Sequence, residues 1–185
     1  MQAFERAIAL GVDGIEFDLQ LSADGHLLIH HDARLKPEAT RRNGVFLEKP
    51  TPRIDALAFA ELQNYDVGSL KAGSAYAARH PDREHMDGAK IPSLAAFDKL
   101  LAEQTDSDFR AYAELKTDMR DAATAEALAD AYIAALHASP AAARHIVVSF
   151  DWRSLNLVRA AFPDMSHAYT TIWRAAAGEA CKAAI

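Results

Sequence analysis

Between Asp13 and Leu21 the chain reads Asp-Gly-Ile-Glu-Phe-Asp-Leu-Gln-Leu, an apolar run broken by acids at positions 16 and 18. Successive side chains of an extended strand point to opposite faces. Glu16 and Asp18 therefore share one face, roughly 7 Å apart along it, while Ile15, Phe17 and Leu19 share the other. Two carboxylates side by side in an apolar strand repel each other and lose hydration, so something positive must offset them. A hard divalent cation, Mg²⁺ or Ca²⁺, is one solution. The alternative is an inward polar layer in which lysine or arginine from neighbouring strands balances the acids.

The rest of the chain alternates around that strand. Phe4, Ile8 and Leu10, with Ala3 and Ala7, form an apolar helical stripe that Gly11 stops. Ser22-Ala23-Asp24-Gly25 predicts a tight turn, and His26 to His31 a second strand. Residues 33–54, rich in Arg, Lys, Pro and Gly, read as a long loop, and 54–64 as helix. Residues 66–92 carry Gly68, Gly73, Pro81, Gly88 and Pro92 and read as an irregular excursion with one helical turn around Tyr76. Ser93 is the expected N-cap of a helix through Leu101. A strand over Phe109–Leu115, an Ala-rich helix over Ala122–His137 and a strand over Ile146–Phe150 follow. After them come a helix over Ser154–Phe162, ended by Pro163, and a short strand over His167–Thr171. Arg174 to Ile185 is Ala-rich and predicts the start of another helix.

Mostly unalternating strands separated by helices predict an α/β fold, with a parallel sheet and helices outside it. No internal repeat or low-complexity linker divides the chain, which predicts a single domain over residues 1–185. An α/β barrel needs eight strands and about 250 residues. Five strands are read here, with a helix before the first. The expectation is a partial (β/α)₈ barrel that lacks strand one and the last two strands.

Composition narrows the function. A net charge of −6 argues against a nucleic-acid partner, whose phosphates would select a basic face. No apolar run approaches the ~18 residues of a membrane span, so stable membrane insertion is not expected. The single cysteine, Cys181, cannot form an internal disulfide. With no export signal visible at the start, this points to the cytoplasm. The periplasm stays open, because the first helix has no N-cap or preceding turn and the chain begins inside a pattern.

A second acid–base pair, Glu114 and Lys116, closes the strand Phe109–Leu115 at the same i, i+2 spacing. In a parallel barrel the C-terminal ends of all strands meet at one mouth. Glu16, Asp18, His31, Glu114 and Lys116 are therefore expected together there. Three carboxylates suit Mg²⁺ or Ca²⁺, whereas zinc more often draws histidine or cysteine. A cation and an ammonium neutralise phosphoryl oxygens, and an imidazole protonates a leaving oxygen, so the set fits a phosphate ester. Taken singly, each residue also has a structural reading: Glu114 and Lys116 as inward charges paired with other strands, His31 as a hydrogen-bonded strand-end histidine. His30 points to the opposite face and reads as structural, and Asp32 is given no chemistry. Ser149 lacks the Gly-x-Ser-x-Gly elbow of a serine nucleophile. Phe150 and Trp152 lie near the mouth, where substrate contact and helix packing compete.

Taken in order, these stretches resemble the glycerophosphodiester phosphodiesterase family, whose fold is a TIM barrel. The matching segments are Ala3-Phe4 to Leu21, Asp24-Gly25, His31-Asp32 with Leu35 and Thr40-Arg41, and Tyr65-Asp66-Val67-Gly68. Further matches are Gly73-Ser74-x-Tyr76, Ile91-Pro92-x-Leu94, Glu114-Leu115-Lys116 and Ser149-Phe150-Asp151. The resemblance implies that Glu16, Asp18 and Glu114 ligate the divalent cation. It implies that His31 is one of two catalytic histidines, acting as general acid toward the departing alcohol, and that Lys116 holds the phosphate of a small-molecule glycerophosphodiester. The family's insertion corresponds to the loop-rich stretch from about Arg34 to Lys90.

The family's His-Arg-Gly and Glu-Asn-Thr motifs, and with them the second histidine, have no counterpart in this sequence. Residues 1–185 alone are accordingly expected to be inactive or poorly folded, since an open barrel leaves strand edges unpaired. Three readings follow: hydrolysis to an alcohol and glycerol 3-phosphate, lysophospholipase D-like or other phosphodiesterase chemistry on the same barrel, or an inactive remnant that binds only metal or phosphate.

Overall fold

Helix α1 (Gln2–Ala9) lays Phe4, Ala7 and Ile8 on the main core and leads into β1 (Gly14–Leu21). Strand β2 (Leu27–Ile29) follows after a tight turn. The computed structural model describes residues 1–171 except 105 and 107, so the helix expected over Arg174–Ile185 lies outside the described residues, as does Cys181. In the turn, the Ser22 hydroxyl accepts from the His26 amide at 2.9 Å and donates to Asp24 at 2.6 Å.

β2 corrects the expectation of a wholly parallel sheet. It pairs antiparallel with β1, Leu19 opposite Ile29 and Leu21 opposite Leu27. The reason was already in the turn, since a parallel partner needs a crossover of a dozen or more residues and a tight turn can only make a hairpin.

The stretch expected to be loop is a folded excursion. It contains β3 (Arg41–Arg42), β4 (Val45–Phe46), α2 (Phe59–Leu62), β5 (Tyr65–Asp66) and α3 (Ala75–Ala78). β4, β3 and β5 form a small antiparallel sheet. Asn43 (φ 52°) and Gly44 (φ 79°) turn the β3–β4 hairpin, a pairing that favours left-handed backbone in two-residue hairpin turns. The helix expected over 54–64 is a 3₁₀ turn at Ile54–Ala56 and a single α turn, α2. Backbone anchoring interrupts it: Ile54 N–H donates to Ala33 and the Leu57 carbonyl accepts from Ala23. Leu28, Leu35, Ile54, Leu57, Leu62, Tyr65 and Ile91 bury one another as a second apolar cluster beneath this excursion.

The remaining elements follow the expected alternation: α4 (Leu94–Ala102), β6 (Arg110–Leu115), α5 (Ala122–Ala138), β7 (His145–Ser149), α6 (Trp152–Ala161) and β8 (His167–Tyr169). Ser93 caps α4 by accepting from the Ala96 amide. The main sheet runs β2-β1-β6-β7-β8, and β1, β6, β7 and β8 are mutually parallel. This is the α/β arrangement of a partial (β/α)₈ barrel, and no closed barrel forms among the described residues.

The two faces of the sheet divide as period-2 alternation requires. Ile15, Phe17 and Leu19 join Leu94, Phe97 and Leu101 of α4 and Leu128 and Tyr132 of α5 in the main core, with the Phe17 and Phe97 rings 4.5 Å apart. Glu16, Asp18 and Gln20 are left for the opposite face.

Candidate active site

The parallel pairing of β1 with β6 sets Asp18 directly opposite Glu114 and Glu16 opposite Tyr112. Carboxylate oxygens of Glu16, Asp18 and Glu114 thereby lie within 4.8 Å of one another, although the residues come from strands almost a hundred positions apart. Lys116, one step past the end of β6, reaches back over the pair. Its Nζ sits 2.9 Å from Asp18 Oδ1 and 2.6 Å from Glu114 Oε1. The Lys116 amide donates to the Leu19 carbonyl, so the backbone that presents the ammonium is itself held by the sheet.

The charges do not balance. Three carboxylates face one ammonium, and Glu16 carries the surplus. Burial first, then the Asp18 and Glu114 carboxylates, raises the Glu16 carboxyl above its ordinary 4.5, and Lys116 and His31 pull the other way without cancelling this. Burial works to lower the Lys116 ammonium, but its hydrogen bonds to Glu114 and Asp18 win and hold it above 10.5. Lysine from a neighbouring strand is thus part of the answer to the paired acids, and it leaves two negative charges over.

Donor chemistry fits a hard cation in that gap. Calcium accepts oxygens at about 2.3–2.6 Å, so two ligands across one ion stand about 4.6–5.2 Å apart; magnesium, at about 2.0–2.1 Å, needs a slightly tighter set. The three oxygens lie within 4.8 Å of one another, close enough for one such ion to reach all of them.

His31 stands just after β2. Its side chain is 69% exposed, and Nδ1 lies 3.3 Å from Asp32 Oδ1. Lys36 Nζ bonds the other Asp32 oxygen at 2.7 Å. Burial works to raise the Asp32 carboxyl, but Lys36 and His31 outweigh it and hold the group low. The Gln20 side chain donates to the His31 carbonyl at 3.1 Å, tying the histidine's backbone to β1. His30 points away: its amide donates to the Asp18 carbonyl, its Nε2 is buried without a partner among the described residues, and burial lowers its pKa.

His31 and Lys116 line one cavity of about 390 Å³. Its other walls are Gln20, Ala33, Arg53, Thr117, Asp118, Met119 and Arg120, none of which sequence reasoning had singled out. The residues after Lys116 were traceable from their adjacency to it. Arg53 was not, because only the folded excursion brings it back to β1. A larger cavity of about 600 Å³ opens on the helical side between α4 and α5 and contains none of the three carboxylates. Ser149 is fully buried and donates to the Leu115 carbonyl at 2.9 Å, a bond between strands. Trp152 is half exposed and packs edge-on against Tyr169.

Three carboxylates and a lysine gathered on parallel strands lie where α/β barrels build their sites, toward the C-terminal ends of the strands. The profile of the glycerophosphoryl diester phosphodiesterase family matches residues 1–182, and the chain belongs to that family. It is 33% identical over 115 residues to a glycerophosphodiester phosphodiesterase of Caldanaerobacter subterraneus subsp. tengcongensis, which covers 62% of this chain and 38% of that protein. A crystal structure from Silicibacter pomeroyi, assigned as a glycerophosphoryl diester phosphodiesterase, superposes with a TM-score of 0.86 at 29% identity, over 91% of this chain and 58% of the other. An Oleispira antarctica phosphodiesterase, crystallised with the product sn-glycerol-3-phosphate, shares the fold with a TM-score of 0.66 at 21% identity, over 91% and 58%. The chain spans about half the length of the relatives it matches.

Proposed function

We propose that the protein to which these residues belong hydrolyses glycerophosphodiesters to an alcohol and sn-glycerol 3-phosphate. The observation that carries this reading is the unbalanced triad: three carboxylates within 4.8 Å, with a single ammonium bonded to two of them. Glu16, Asp18 and Glu114 are the residues that would hold Mg²⁺ or Ca²⁺. When bound, such an ion supplies positive charge for phosphoryl oxygens.

The chain's own residues do the rest. Lys116, already fixed by Asp18 and Glu114, turns its remaining donor capacity to a phosphoryl oxygen and stabilises the charge that builds there. His31, carrying a proton, donates it to the alcohol oxygen as the P–O bond to that alcohol breaks and a water oxygen bonds to phosphorus, the proton lost by that water passing to solvent, from which the imidazole is recharged. Asp32, 3.3 Å from Nδ1, orients the ring. The glycerol 3-phosphate held by the Oleispira antarctica relative supports the choice of product.

The test is release of sn-glycerol 3-phosphate from glycerophosphodiesters by the complete protein, with and without chelator. Activity is expected to vanish on chelation and return with Mg²⁺ or Ca²⁺. His31→Ala is expected to abolish product release while keeping cation affinity measured by calorimetry. Full activity in the chelated enzyme would sink the reading, and loss of cation binding in His31→Ala would remove the acid role.

A further inference from the structure

Past His31 and Lys116 the cavity continues over side chains to which hydrolysis itself gives no task. Two of them are arginines. Arg53 spends Nε and Nη2 on Asp55, at 2.9 and 2.7 Å, which pins the guanidinium and leaves Nη1 without a hydrogen bond among the described residues. The Arg120 guanidinium has no hydrogen bond or ion pair among the described residues. Asp118, the acid in this wall, accepts from the Arg120 amide at 3.0 Å, and its charge also acts on Arg53. The cavity that His31 and Lys116 line therefore also offers guanidinium N–H donors.

Geometry says which half of a substrate lies there. On that reading His31 hands its proton to the departing oxygen, so the alcohol is the half that shares this cavity with His31. We propose that Arg53 and Arg120 make this cavity the seat of an alcohol that bears its own anionic group, a phosphate or a carboxylate, and discriminate against choline-like alcohols. The inference rests on the hydrolytic reading above. Guanidinium groups bind both anions in a fork geometry that an ammonium cannot reproduce.

The experiment compares kcat/KM of the complete enzyme, with its cation, on three diesters that share the glycerophospho half. Their alcohols are choline, glycerol and glycerol phosphate. The phosphorylated alcohol is expected to be preferred over glycerol by about tenfold, with choline last, and the preference is expected to shrink as salt rises, since the arginines work across a partly exposed rim. Arg53→Gln and Arg120→Gln are each expected to cut the ratio of anionic to neutral diester by about fivefold, the scale of one charged hydrogen bond at such a rim. Lysine at either position is expected to restore part of it. Among the described residues the Arg120 side chain has no partner whose loss would disturb folding, so its variant keeps the test clean if Arg53→Gln unfolds.

Choline turned over as well as the anionic alcohol, or a ratio unmoved in Arg120→Gln, would overturn the proposal while leaving the hydrolytic reading intact. Failure to release glycerol 3-phosphate from any of the three would overturn both.

Discussion

Replacing Lys116 by methionine keeps an unbranched apolar stem, one atom shorter, and removes the cation that bridges Asp18 and Glu114. In the cation-free protein two contacts disappear, at 2.9 and 2.6 Å, and two carboxylates set opposite each other by the β1–β6 register are left with no counter-charge between them. Two like charges about 5 Å apart repel by roughly 3 kcal/mol at an effective permittivity near 20. Solvent reaches the site, with 22% of the Lys116 side chain accessible, so most of the nominal pairing energy is screened. A net loss of about 2 kcal/mol is the reasonable magnitude. For a domain of this size that lowers the melting temperature by about 4–8 °C.

The same substitution removes a competitor for the carboxylates. Divalent-cation affinity is therefore expected to rise about tenfold, equivalent to about 1.4 kcal/mol. Melting curves of chelator-stripped wild type and Lys116→Met, each repeated with excess Mg²⁺ or Ca²⁺, read both effects. The variant is expected to start lower and gain more from the ion. A variant that melts with wild type when stripped and gains no more on adding cation would refute the idea that Lys116 and a divalent ion share the triad.

Glu16→Gln tests the surplus charge through pH. A carboxyl whose folded pKa is raised binds its proton more tightly in the folded state, so its contribution to stability grows as pH falls through the raised value toward the unfolded 4.5. Subtracting the pH–stability profile of Glu16→Gln from that of the stripped wild type is expected to isolate that slope, and parallel profiles would contradict it. In the core, Tyr132 OH lies 2.9 Å from His145 Nδ1, whose Nε2 lies 3.0 Å from Asp98. Tyr132→Phe strands a buried ring nitrogen and is expected to cost about 1–3 kcal/mol in denaturant unfolding. A Cβ on Gly68 would meet the Met86 carbonyl oxygen at 1.8 Å. Gly68→Ala is therefore expected to expose the 66–92 segment to protease while β1 and β6 remain protected from hydrogen exchange, and uniform protection would be the wrong result for this packing.

Local signals read well where one element's chemistry was self-contained. Ser93 ahead of an apolar stripe announced α4, because an N-cap acts on amides within its own first turn. The alternation of Ile15, Phe17 and Leu19 with Glu16 and Asp18 announced both the face buried by helices and the face holding the acids. The excursion read poorly because its order is collective. β3, β4 and β5 span two residues each and have no period to detect, and they hold together through partners such as Arg41, which bonds Asp66, Ser69 and Asp87 at once. Asn43-Gly44 is a hairpin signal in its own right, and the Ser22–Gly25 turn forces an antiparallel pair that the overall parallel pattern obscures.

From its order of residues alone, this chain settled its family and its α/β alternation, because strand period, caps and motif spacing act over a few residues at a time. Tertiary structure decided which oxygens meet which cation. Asp18 faces Glu114 only because β1 and β6 are neighbours in register, and Arg53 reaches the cavity beside His31 only because the excursion folds back. Charge at a distance of a few ångströms is set by such long-range contacts, which no local pattern in the chain encodes.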